Sequence, residues 1–99
     1  MVQLKWTLIA IDDLRSIYEF IARDSKKFAK IEVIKIKLRT KVLKDKPFIG
    51  KQVRERNDSR IRELIEGNYR IIYKVIDDKR IDILTIHHGT RDLKRRELE

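Results

Sequence analysis

The stretch from Arg60 to His88, RIRELIEGNYRIIYKVIDDKRIDILTIHH, alternates apolar and polar residues and is interrupted at Gly67-Asn68 and at Asp77-Asp78-Lys79. A period of two is the period of a β-strand, and turns this short join antiparallel neighbours. Three strands therefore follow one another as a meander. On the middle strand Tyr69, Ile71, Tyr73 and Val75 share one face while Arg70, Ile72, Lys74 and Ile76 share the other. A sheet with one apolar face needs a cover, which must come from the first half of the chain.

That half supplies it. VQLKW alternates, with Val2, Leu4 and Trp6 on one side, and reads as a short strand. The period then changes: Ala10, Leu14, Ile17, Tyr18 and Ile21 follow helical spacing, with Thr7 placed as the N-cap. Ser25 is placed to cap a second helix running to about Lys44, and this helix has two apolar rows instead of one. Ile31, Ile34, Leu38 and Val42 form the first, and Ala29, Val33, Ile36 and Leu43 the second. Either one row meets the sheet and the other the first helix, or part of one row is left open for a partner. Lys30, Lys37, Lys41 and Lys44 form a basic stripe read as lying opposite both rows. Pro47 and Gly50 then end the helix and turn the chain. The predicted order is β-α-α-β-β-β, an α+β fold with a helical hairpin packed on a small, mainly antiparallel sheet.

Ninety-nine residues suit one domain, here taken as 1–99 with a polar basic tail from about 89. Twenty-five Lys and Arg against 16 Asp and Glu leave a net charge of +9, so the expected partner is anionic: nucleic acid or an acidic protein. The chain contains no cysteine, which excludes disulfide and thiolate chemistry. Lys5, Asp12 and Asp13 interrupt the apolar amino terminus, so neither a signal peptide nor a membrane span is expected, and the expected location is the cytoplasm. His87, His88 and the scattered carboxylates do not form a metal set, and no Gly-rich loop precedes a helix; neither metal nor cofactor is expected.

Four segments, AIDDLRSIYEFIA, PFIGKQV, IRELIEGNYRIIYKV and IDILTIHHGTRDL, occur in an order that resembles the RelE/ParE superfamily of type II toxin-antitoxin toxins, also described as plasmid stabilisation proteins. The wording is closer to the ParE branch. The resemblance implies the same β-α-α-β-β-β fold, a hetero-oligomer with a cognate acidic antitoxin, and one of two targets. ParE-like members inhibit DNA gyrase; RelE-like members are ribosome-dependent mRNA endoribonucleases, or mRNA interferases.

Chemistry separates the two. Cleaving RNA through its 2′-hydroxyl requires a base, an acid and cations for the phosphorane charge. By resemblance, Arg70 and Arg91 match phosphate-holding arginines of the nucleases, Arg60 and Arg62 stand near nuclease lysines, and His87 or His88 lies near a histidine used by another nuclease branch. The tyrosine expected after the last arginine is missing from DLKRRELE, and the glutamate base of the histidine-using branch has no clear counterpart near PFIGK. The expected function is therefore a ParE-like gyrase inhibitor, with the ribosome and mRNA as alternative targets, or an inactive antitoxin-binding homologue. Arg70 also has a simpler role available, pairing across the hairpin with Glu63 or Glu66. Partner contacts are expected at Ile31, Ile34, Leu38, Val42, Arg60, Lys94, Arg95 and Arg96, with antitoxin carboxylates near the basic sheet.

Overall fold

The computed structural model of the chain describes residues 2–88. The order of elements is β1 (Gln3–Trp6), α1 (Leu8–Ala22), α2 (Lys26–Thr40), a 3-10 turn (Lys41–Lys44), β2 (Lys51–Gln52), β3 (Ile61–Glu66), β4 (Tyr69–Asp77) and β5 (Arg80–His88). Among the described residues the strands form one five-stranded sheet in the order β1-β5-β4-β3-β2. All neighbours are antiparallel except β1, which runs parallel to β5. The α1–α2 hairpin lies on one face, so the fold is α+β as predicted.

Both helices start where the sequence places their caps. The Thr7 hydroxyl accepts the Ala10 N–H at 3.1 Å and the Ser25 hydroxyl accepts that of Phe28 at 3.2 Å. The second helix is shorter than predicted, however: it leaves α geometry at Thr40 and finishes as the 3-10 turn. The Thr40 hydroxyl bonds back to the Lys37 carbonyl at 2.7 Å, a contact that competes with regular helix, and Pro47 prevents its continuation. β2 was not legible because two residues carry no periodicity.

Tyr69, Ile71, Tyr73 and Val75 face the helices, where the buried core joins Ala10, Leu14, Ile36 and Leu43 to Leu64, Ile81, Ile83 and Ile86. The opposite face is not bare. Val53, from the segment after β2, packs with Ile61, Ile72 and Leu84 into a second buried cluster.

Leu84 reaches that cluster because β5 does not keep its alternation. Pairing with β4 jumps from Ile72↔Thr85 to Tyr73↔Ile83, so Leu84 is the extra residue of a β-bulge. Ile83 and Ile86 consequently both face the helices. Beyond Ile83, β5 has no pairing with β1, whose register ends at Trp6↔Ile83, and α1 supplies the missing partners. Thr7 donates its hydroxyl to the Leu84 carbonyl at 2.7 Å, and Asp13 accepts both the Thr85 hydroxyl and the Ile86 N–H, the latter at 3.0 Å. Asp13 thus acts as a side-chain substitute for a neighbouring strand. Asp13→Ala leaves the buried Thr85 hydroxyl without this acceptor, and denaturant unfolding should show a loss of about 1–3 kcal/mol.

Candidate functional site

Arg70 projects from β4 on the face away from the helices, into a polar groove of about 500 Å³ that is also lined by Lys51, Arg54 and His88. Its side chain is 13% exposed, and four of the five N–H donors of its guanidinium are bonded to carboxylates. Nη1 and Nη2 meet the two oxygens of Glu55 at 3.0 and 3.1 Å, and Nε meets Glu63 Oε1 at 3.2 Å, with Nη2 closing a second bond to that oxygen. The bidentate geometry with Glu55 is the strong form of an Arg–carboxylate pair. Hydrogen bonding from Arg70 holds the Glu55 carboxyl below the usual carboxylate range, against the opposing effect of burial. Glu55 in turn is the main cause of the upward shift at Arg70.

Glu63 was legible as a cross-strand partner, since it stands opposite Ile72, two residues from Arg70 on the same face. Glu55 was not. It lies between β2 and β3 in a segment without periodicity, where only the excess of charged residues hints at ion pairing. The result is a site whose cation already has two carboxylates of its own chain. A phosphate would have to displace Glu55 to reach it.

The other candidates are distributed differently. His87 stands opposite Arg70 on β5 and is 1% exposed; His88 is exposed and meets the Tyr69 ring edge-on at 5.9 Å. Arg62 stands opposite Tyr73, on the helix-facing side of the sheet, so it does not join Arg70. Its guanidinium donates to the carbonyls of Ser59 at 2.9 Å and Gly50 at 3.0 Å and lies 5.1 Å over the Phe48 ring. It clamps the chain on either side of β2. Arg60 pairs with Asp58 at the surface. Arg91, Lys94, Arg95 and Arg96 lie outside the described residues. Of the proposed catalytic residues among those described, Arg70 has His87 opposite it, beneath the surface, and shares its groove with His88, while Arg62 lies on the other face of the sheet. Among the described residues no cluster of His, Asp and Glu has the arrangement of a metal site.

A larger depression, about 890 Å³, runs between the helical hairpin and β1. Val2, Leu4, Trp6, Ile11, Leu14 and Val33 make its apolar floor, and Arg15, Lys37, Lys41 and Lys44 its rim. Among the described residues β1 pairs with β5 alone, and Gln3, Leu4 and Trp6 of this edge strand line the groove. The basic stripe predicted to lie opposite both apolar rows of α2 is instead beside this groove. At about 100° per residue, Lys30, Lys37 and Lys41 fall between the buried row and the exposed one.

The two rows have different fates. Ala29, Ile36 and Leu43 are fully buried and Val33 packs against them, whereas Ile31, Ile34 and Leu38 are exposed; in their row only Val42 reaches the core. The charges also divide. On the sheet side Arg60, Arg70 and Arg80 each pair with a neighbouring carboxylate. None of Lys26, Lys27, Lys30, Lys35, Lys37, Lys41 or Lys44 forms an ion pair among the described residues. Among the described residues, lysines without an ion pair are thus concentrated along α2, which gives this side of the molecule a positive field.

Comparison with known proteins gives a consistent picture. The family model described as "ParE toxin of type II toxin-antitoxin system, parDE" matches residues 4–93. A structure of the chromosomal ParDE toxin-antitoxin system from P. aeruginosa contains a similar chain: TM-score 0.73, 28% identity, with 89% of this chain and 96% of that one covered. The YoeB/ParE toxin from Agrobacterium tumefaciens shares the fold at TM-score 0.60 and 23% identity, covering 88% of this chain and 98% of that one. No curated protein matches the chain.

Proposed function

The chain belongs to the ParE toxin family of type II toxin-antitoxin systems, and on that premise we propose that it inhibits DNA gyrase in the cytoplasm and is neutralised by an acidic antitoxin seated in the groove between β1 and the helical hairpin. The double pairing of the Arg70 guanidinium with Glu55 and Glu63 carries the choice of a binding inhibitor over a nuclease. Holding the transition-state phosphorane demands donors aimed at an oxyanion. Here both ends of the best-placed arginine are bonded to Glu55 and Glu63. Inhibition by binding requires no proton transfer, only a complementary surface.

The groove supports the antitoxin assignment. Its floor accepts apolar side chains, its rim is cationic, and β1, an edge strand among the described residues, offers backbone groups to an extended segment. Burial supplies most of the affinity, while the lysines speed encounter and make it salt-dependent.

The test compares supercoiling by purified gyrase with cleavage of mRNA on programmed ribosomes, each with and without the toxin. Loss of supercoiling with intact mRNA is expected. Codon-positioned cuts with supercoiling unaffected would replace this reading by the mRNA interferase, and inactivity in both assays would leave an inactive antitoxin-binding homologue.

A further inference from the structure

The groove between β1 and the helical hairpin is one-sided in charge. Arg15, Lys37, Lys41 and Lys44 line it, and no Asp or Glu is among its described lining residues. Lys37, Lys41 and Lys44 follow one another at four and three residues, a row along α2 and its 3-10 continuation. All three are exposed, and none forms an ion pair among the described residues. Arg15, from α1, has an exposed contact with Asp12 at 3.5 Å, a weak competitor for an outside anion. Below this rim the floor is aliphatic apart from the Trp6 indole. Thr40, one of the few uncharged polar residues lining the groove, has its hydroxyl committed to the Lys37 carbonyl at 2.7 Å. The volume of about 890 Å³ falls within the range of small-molecule sites, about 300–1,000 Å³.

We propose that this groove binds a free long-chain fatty acid, with its acyl chain on the apolar floor and its carboxylate at Lys37 and Lys41, in competition with the antitoxin. The competition rests on the antitoxin reading of the groove; the binding does not. Charge and apolarity together select the ligand. A cationic amphiphile would meet four like charges and no carboxylate. A nucleotide would suit the rim, but the polar edges of its base would lie on aliphatic side chains without partners. A bilayer presents a plane of headgroups, whereas these lysines border a depression below the surface. An acyl chain makes no hydrogen-bonding demand, and a carboxylate at the rim keeps part of its hydration, so neither end is buried at a cost. Each methylene placed on the floor multiplies affinity about fourfold, and the lysines fix which end stays out. Free fatty acid would thereby weaken neutralisation without altering the amount of either protein.

Trp6 is the only tryptophan of the chain and lines the groove, so its fluorescence reports occupancy. Titrating the full chain with laurate, below the micelle concentration, is expected to change that fluorescence saturably, with calorimetry giving the same affinity and one site per chain. Decanoate, two methylenes shorter, should bind about fifteenfold more weakly. Dodecanol on the wild type, and laurate on Lys37→Gln combined with Lys41→Gln, should each lose about five- to tenfold. Both lysines are exposed, so the double variant leaves the core unchanged. Neither fluorescence change nor heat up to the micelle concentration overturns the site and leaves the antitoxin reading standing. Equal affinity for laurate and dodecanol, unaltered in the double variant, removes the role of the lysines and with it the ligand class. A response to phosphatidylglycerol vesicles but not to monomeric laurate assigns the lysines to a membrane surface and overturns the proposal. Saturating laurate should also displace the product of the neighbouring acidic reading frame. Laurate and that product held together on one chain would overturn both the competition and the groove as the antitoxin's seat, while the ligand site stands.

Discussion

Replacing Gly50 with alanine is expected to lower the unfolding free energy by at least about 3 kcal/mol, the upper range for forcing atoms into a packed interior. A Cβ at this position would lie 2.5 Å from the Tyr73 hydroxyl oxygen, 2.6 Å from the Glu63 carbonyl oxygen and 2.8 Å from Cε1 of the Tyr73 ring. Two of these atoms belong to a fully buried side chain and the third to a strand backbone, so none can move cheaply. The glycine is required for close approach, since positive φ among the described residues occurs only at Gly67. Gly50 also donates its N–H to the Tyr73 hydroxyl at 2.9 Å, tying the turn after α2 to the centre of β4. Thermal unfolding should shift down by roughly 4–8 °C for each kcal/mol lost. Adding Tyr73→Phe removes the nearest clash but not the Glu63 carbonyl, so rescue should be partial. Full rescue by that second change would show that the hydroxyl alone makes Gly50 necessary.

The Gly50 contact also shows where sequence reading stops. A glycine after a proline reads as a turn, and the turn is there; that a tyrosine 23 residues away presses against its Cα is a tertiary fact. The same division recurs through the molecule. β3, β4 and β5 are legible because alternation repeats over six to nine residues in each. The bulge at Leu84 is invisible because Ile83, Leu84 and Ile86 are all apolar, so nothing in their chemistry marks the change of face. The parallel pairing of β1 depends on where a crossover of two helices returns the chain, which no local pattern encodes. The two rows of α2 are plain in the sequence. Which of them is open depends on the side that meets the sheet. At the polar groove, Arg70 and Glu63 follow from strand register, but Glu55 arrives from an irregular segment and decides whether the arginine is available.

Arg70→Ala is the substitution expected to separate structural from functional roles most sharply. It leaves Glu55 and Glu63 side by side, with side chains only 20% and 14% exposed, and without their shared cation. Removing one partner of a largely buried ion pair strands the remaining charge, and here two are stranded; a loss of about 3 kcal/mol is expected in urea unfolding. Neutralising the carboxylates as well, with Glu55→Gln and Glu63→Gln beside Arg70→Met, should recover most of it, because the penalty comes from stranded charge and not from lost volume. Acid provides an independent measure. The folded Glu55 carboxyl titrates below its ordinary value of 4.5, chiefly through its bonds to Arg70, so its contribution is complete above about that pH. It is then lost as pH falls through the lower folded value. Wild-type stability should therefore decline below about pH 4.5 more steeply than that of Glu55→Gln, and the Arg70→Ala variant should lack this excess slope. Under the gyrase reading, the refolded triple variant keeps its inhibition of supercoiling, since Arg70 serves the fold. If that variant is as stable as wild type but no longer inhibits gyrase, Arg70 belongs to the target surface and its pairing with Glu55 and Glu63 is an exchange the target must complete.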